Sequence, residues 1–218
     1  MKSEHNKVID AAAKKLLKPI GLQRKGTSRS WFDDHGWWLT HVEFQPSAWS
    51  KGSYLNVGVC WLLYEGSDSS FNVGHRVDVP FVEANERTDF DCEIHTMAER
   101  AKQEVLKYRD AFPTPRKAAD YYLTKDSLTT WDHYYGGVIL GLCQDVKYAR
   151  QFLNEVATHA ARWDWERALA QRAADLLPLL SEHAAFVRTV RGIVLRTRSI
   201  GNLPDVGGNI KLAEETSA

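Results

Sequence analysis

Trp37-Trp38-Leu39-Thr40-His41-Val42-Glu43-Phe44-Gln45, followed after a short loop by Tyr54-Leu55-Asn56-Val57-Gly58-Val59-Cys60-Trp61-Leu62-Leu63, decides how this chain is read. Alternate residues of a strand point to opposite faces. Trp38, Thr40, Val42 and Phe44 line one face of the first run, and Leu55, Val57, Val59, Trp61 and Leu63 one face of the second. Both predict a buried sheet surface. The positions between them, Trp37, Leu39, His41, Glu43 and Gln45, then Tyr54, Asn56, Gly58, Cys60 and Leu62, form a mixed face. The stretch from Trp31 to Leu63 holds five of the eight tryptophans, so the rest of the chain is expected to pack around it.

Working outward, Ser30-Trp31-Phe32-Asp33 reads as a short aromatic strand, and Asp34-His35-Gly36 as the turn that follows it. Ahead of it, Ile9, Ala12, Ala13, Leu16, Leu17 and Ile20 recur at helical spacing, which predicts an amphipathic helix over residues 4–18. Ser3 is its expected N-cap, and Pro19 with Gly21 its stop. The segment Gln23-Arg24-Lys25-Gly26-Thr27 reads as a basic turn that lacks the G-K-[ST] of a phosphate loop. Downstream, a loop carries Trp49. A fourth strand is expected over His75–Val82, with Val77, Val79 and Phe81 inward and Arg76 and Asp78 outward. Pro80 places it at an edge. Short connections favour antiparallel pairing.

After Asn85 the period changes. Thr88-x-x-Asp91 reads as a capping box. Ile94, Ala98, Ala101, Val105, Tyr108 and Phe112 then keep a helical rhythm that Pro113 and Pro115 stop. Helices are expected over 116–123, 130–142, 145–160, 163–177 and 182–198, with Pro178 separating the last two. The expected fold is α+β: an N-terminal helix and a roughly four-stranded antiparallel sheet packed with helices over 1–112, then a helical bundle over 113–200. Residues 201–218, polar with Gly207-Gly208, read as a loosely held tail.

Composition is that of a globular chain, with 44% hydrophobic and 26% charged residues. Lys+Arg and Asp+Glu balance at 28 each, which argues against nucleic-acid or membrane-surface binding, both of which draw on excess positive charge. Three scattered cysteines without C-x-x-C read as reduced thiols. No apolar signal-peptide core fits the first twenty residues, and no apolar run is long enough to span a bilayer. A cytoplasmic protein is expected.

The order of helix, Pro19-Ile20-Gly21-Leu22-Gln23-Arg24-Lys25-Gly26, aromatic strand, Val42-Glu43-Phe44-Gln45-Pro46-Ser47 and Leu55-Asn56-Val57-Gly58-Val59 resembles a bacterial family catalogued as domain of unknown function 4304. The likeness covers about the first half of the chain, with Leu22 where the family phrase has Phe. It implies an α+β fold and a bacterial source, and carries no chemistry with it.

Function has two candidate surfaces. On the mixed sheet face, Trp37, His41, Glu43, Gln45, Tyr54 and Asn56 would share one surface, where the aromatics offer stacking area and His41 with Glu43 an acid–base pair. The alternative is an ordinary solvated or helix-covered face. Gly58 within that apolar strand marks a bulge or a close approach. On the last helix, Arg188, Arg191 and Arg198 fall on one side and could hold an anion or acidic partner; the alternative is a solvated charged face. His95 and Glu99 sit four apart on a helix with no third ligand nearby, and no metal or cofactor is expected. There is no G-x-S-x-G, and Cys60 and Cys143 lie in apolar runs that read as core. Trp38 and Trp61 read as core too, whereas Trp49, Trp163 and Trp165 are expected at least partly exposed, where tryptophan often anchors a partner. The expected role is a non-catalytic binding protein, of immunity or antitoxin type, engaging a protein partner or small ligand. The alternative is a small-molecule or nucleotide-handling enzyme using the mixed face.

Overall fold

The computed structural model describes residues 3–66, 71–85, 89–206 and 210–212. The fold is α+β. In chain order the elements are α1 (Glu4–Leu17), β1 (Gln23–Arg24), β2 (Ser30–Asp34), β3 (Trp38–Gln45), β4 (Gly52–Trp61), β5 (Val73–Arg76) and β6 (Val82–Glu83). Then come α2 (Phe90–Ala111), α3 (Pro115–Thr124), α4 (Thr130–Leu142), α5 (Val146–Ala157), α6 (Asp164–Leu176) and α7 (His183–Ile200). Among the described residues no helix is long and apolar enough to cross a membrane. The chain divides into two units: Met1–Cys60 with Ser69–Asp110, and Trp61–Asp68 with Ala111–Ala218.

The first unit is an antiparallel sheet in the order β1-β2-β3-β4-β5, with β6 also pairing β4. One face carries Trp31, Val42, Phe44, Leu55, Val57, Val77 and Val82, and on it lie Ile9, Ala13 and Leu17 of α1 with Ile94, Ala98, Ala101 and Val105 of α2. Each is buried, and this continuous apolar layer supplies the unit's main driving force, at about 25 cal/mol per Å² removed from water. Helix α1 ends through a 3-10 turn, Lys18–Ile20, closed by Gly21 at φ +96°, a left-handed cap that glycine adopts without steric cost.

Two expectations for this sheet are corrected. The basic turn after α1 contains a strand: Gln23 and Arg24 pair with Phe32 and Trp31. The single fourth strand is two short ones, β5 and β6, interrupted around Pro80. Val77 still donates its N–H to Leu55, and pairing resumes only at Val82 opposite Ser53. The interruption slips the alternation, as a bulge does. Phe81, expected inward, therefore lies against Tyr54 of the mixed face, ring centroids 4.6 Å apart and planes tilted by 45°, while its neighbour Val82 takes the core position. Thr88, half of the expected capping box, lies outside the described residues.

The second unit centres on α4, which is buried almost all round. Gly136 and Gly137 let Phe152 and Leu153 of α5 approach to where a Cβ would stand, 2.7 and 2.8 Å away. The segment after β4 belongs here because its backbone carbonyls find donors here: Tyr134 gives its hydroxyl to the Leu63 oxygen at 3.1 Å and Thr197 to the Tyr64 oxygen at 3.0 Å. Trp61 donates Nε1–H to the Tyr122 hydroxyl at 2.7 Å, and burial pushes that phenol well above its ordinary pKa. Cys143, read as core, is only half-buried at the end of α4. The tail is less loose than expected: Ile210 and Leu212 are buried, and Arg191 and Arg198 of α7 hold the Ile210 and Pro204 carbonyls at 3.0 and 2.6 Å.

Candidate functional site

The mixed sheet face divides into a closed half and an open half. In the closed half, cross-strand pairing of Phe32 with His41 stacks the two rings at 4.4 Å. Phe71 lies across the same region, 5.3 Å from the His41 ring. Gly58 explains how Phe71 fits: a Cβ there would stand 2.5 Å from the Phe71 ring and 2.6 Å from the Val73 carbonyl oxygen. The glycine thus marks a close approach by this chain's own aromatic side chain. His41 is 7% exposed and Trp37 is also buried. Cys60, on the same face, is buried, and burial pushes its thiol up to about 12, far from thiolate reactivity at neutral pH.

The open half holds a polar network around Asn56. Asn56 Nδ2 donates to Glu43 Oε2 at 2.9 Å and to Gln45 Oε1 at 3.0 Å. Arg76 of β5, directly opposite Asn56, donates Nη2–H to the same Gln45 oxygen at 2.6 Å and makes a long Nε contact of 3.5 Å to Asn56 Oδ1. Two donors aimed at one atom of Gln45 fix it as the carbonyl oxygen. The Arg76 guanidinium lies 4.0 Å over the Tyr54 ring, which Phe81 flanks. Thus Glu43, Gln45, Tyr54 and Asn56 are brought together, whereas Trp37 and His41 are withdrawn. Arg76, read from the sequence only as an outward residue, is their centre.

A second cluster joins the β2–β3 turn to α2. Asp33 accepts from His35 Nε2 at 2.7 Å and Arg109 Nε at 2.6 Å, and Arg109 also donates to the Ile20 carbonyl. Burial alone would raise the Asp33 pKa, but the hydrogen bonds from His35 and Arg109 outweigh it and hold the carboxyl below its ordinary range. His35 stacks on Trp38 at 3.9 Å. These contacts clip elements distant in sequence and are fully used by one another.

The third arrangement lies within the second unit. Two helix starts are pinned by carboxylates. Asp132 and Thr129 form a capping box at α4, with Thr129 N–H on Asp132 Oδ2 at 2.8 Å. At α6, Glu166 Oε2 accepts the backbone N–H groups of Arg162 and Trp163 at 2.5 and 3.0 Å. Those caps place Trp131 and Trp165 in a parallel stack, centroids 5.8 Å apart and planes 8° from parallel. Tyr135 stacks under Trp131 at 5.6 Å and Tyr64 meets its edge at 5.0 Å. Trp165 stays 45% exposed and Trp163, one turn-start earlier, 64%. Next to Tyr64, Glu65 takes Arg196 at 2.5 Å and Arg172 at 3.5 Å. One carboxylate between two guanidinium groups leaves this cluster with one positive charge in excess.

The arginine surface expected on the last helix is corrected. Arg188 is exposed, but Arg198 is 3% exposed and, with Arg191, is engaged with tail carbonyls. The three do not form one open face, because the Ile210 and Pro204 carbonyls occupy Arg191 and Arg198. Among the described residues no group of three His, Cys, Asp or Glu comes together to hold a metal ion. Comparison with known proteins adds nothing to this geometry: no family model, no curated protein and no solved structure matches the chain.

Proposed function

We propose that this is a binding protein, not an enzyme, and that it engages a protein partner through the Trp131–Trp165 surface of the second unit. The observation that carries this is the pair Trp163 and Trp165, two large exposed rings on a helix start whose geometry is locked by a carboxylate cap and an underlying stack. Tryptophan in rigid surroundings with arginine beside it is the composition of binding hot spots, where it loses little conformational entropy on association. Exposing such rings costs solvation that a monomer gains nothing from, which favours a partner that covers them. The Glu65–Arg172–Arg196 cluster at the edge supplies orientation and suits a partner with an acidic rim. Stoichiometric capture of this kind accords with an immunity or antitoxin type of role. The catalytic alternative on the sheet face leans on His41, whose ring is buried against Phe32 and Phe71.

The test is capture from the native host by the wild-type chain and by Trp163→Ala/Trp165→Ala, followed by calorimetry with the partner recovered. The double variant is expected to bind at least about thirtyfold more weakly, the loss of roughly 2 kcal/mol typical of a hot spot. Trp49→Ala, which removes a ring still more exposed than Trp163 or Trp165 and remote from them in sequence, is expected to bind as wild type does. Equal capture by the double variant would sink the assignment.

A further inference from the structure

The open half of the sheet face carries a cation prepared for a ligand. Arg76 is exposed on an edge strand, yet its side chain is held in place by the Gln45 carbonyl, the Asn56 carbonyl and the Tyr54 ring, all uncharged. Among the described residues it has no carboxylate partner, and the contacts it makes there are to these three groups. A surface arginine with no counter-ion normally samples many rotamers, whereas one stacked on a ring and tied to two amides has given up that freedom already. The described residues take neither Nη1 hydrogen and only one Nη2 hydrogen, which leaves the fork that matches two acceptor oxygens.

We infer that Arg76 is a carboxylate-recognition site, in which the free side of the guanidinium takes a carboxylate in a forked pair while Tyr54 and Phe81 line its apolar flank. Glu43 selects the class of anion. Its carboxylate lies on the same face, one amide away through Asn56, so it repels a dianion more strongly than a monoanion and disfavours phosphate relative to carboxylate. Gln45 and Asn56, which the sequence singled out, act as positioning residues for Arg76. The site lies wholly in the first unit and stands or falls independently of the tryptophan surface.

The experiment is titration of the full isotope-labelled chain, followed by NMR at fixed ionic strength, with three probes: benzoate, an acetylated and amidated Gly-Glu-Gly peptide, and inorganic phosphate. Expected are saturable shifts of the Arg76 Nε–H and the Asn56 and Gln45 side-chain amide signals with benzoate or the peptide. The stronger of those two identifies the source as a free acid or a side-chain carboxylate. Arg76→Lys, which keeps the charge and loses the fork, is expected to weaken binding at least about fivefold. Gln45→Met, which frees an intact Arg76, is expected to fall between the two. Trp163→Ala/Trp165→Ala leaves all of these shifts unchanged. Absence of shifts at Arg76 with both carboxylate probes would overturn the inference. So would phosphate binding more tightly than either, or wild-type affinity in Arg76→Lys.

Discussion

At Asp33 a single buried carboxylate joins three parts of the first unit: the strand it sits on, His35 in the following turn, and Arg109 near the end of α2. Its folded pKa is depressed, so its contribution to stability is present above the unfolded value of about 3.9 and is lost as pH falls through the folded value. Asp33→Asn removes the charge and leaves Arg109 half-satisfied. Because Arg109 is partly open to water, the expected cost is about 1–3 kcal/mol, less than for a fully buried pair. Urea unfolding should show that difference at neutral pH and show it shrinking as pH falls below the folded value. A gap that persists in strong acid would mean that the carboxylate's charge is not what matters. Gly58 illustrates the opposite situation, a residue whose role is to be small so that Phe71 can close over His41.

Among the helices, α4 is packed tightly against its neighbours at its glycines. Alanine normally favours a helix over glycine by about 1 kcal/mol. At Gly137 the added methyl would meet Leu153 Cγ at 2.8 Å and its backbone nitrogen at 3.2 Å, and overpacking of that kind costs about 1–3 kcal/mol. Packing wins over propensity, and Gly137→Ala is expected to destabilise by roughly 1 kcal/mol net. On α7, a Cβ at Gly192 would meet the far end of the Arg196 side chain at 3.1 Å, a flexible group that needs to give by only a few tenths of an ångström. Gly192→Ala is therefore expected to leave stability unchanged or raise it by up to about 1 kcal/mol. Opposite signs in chemical denaturation would confirm that α4 sits at a packing limit; equal signs would refute it.

Across the whole molecule, assignment of a segment to a unit follows from where its polar backbone is satisfied and its apolar side chains are buried. Residues 62–65 run on directly from β4, but Tyr134 and Thr197 claim the Leu63 and Tyr64 carbonyls for the helical unit. At the far end, Ile210 and Leu212 fold back and Arg191 and Arg198 secure the connection. Ile210→Ala/Leu212→Ala should release this segment at a cost of roughly 2 kcal/mol, a short strip being able to open locally without global unfolding. Hydrogen exchange at Leu203, whose N–H bonds to the Arg198 carbonyl, is then expected to accelerate about thirtyfold. Unchanged exchange would show that the tail is held by something else.

The α+β class, the helices and the two long strands were legible in the chain because each rests on local periodicity: α1 through Ile9, Ala13 and Leu17, α2 through Ile94, Ala98 and Ala101, β3 and β4 through alternation. The break in the fourth strand was only half legible, since Pro80 announced an edge and not the slip that turns Phe81 outward. The candidate site was legible in part. Gln45, Tyr54 and Asn56 fell on one face by parity, but nothing local to them named Arg76 as the residue they hold, or Phe71 as the ring that removes His41 from solvent. Likewise, Trp131 and Trp165 stand far apart in sequence and meet only because two capped helix starts are brought face to face. The elements and their apolar faces depend on neighbours within a few residues, and so are written in the chain itself. Which polar and aromatic side chains are spent on internal contacts, and which are left for a partner, is settled on folding, because hydrogen bonds and ring stacks form between groups far apart in the chain.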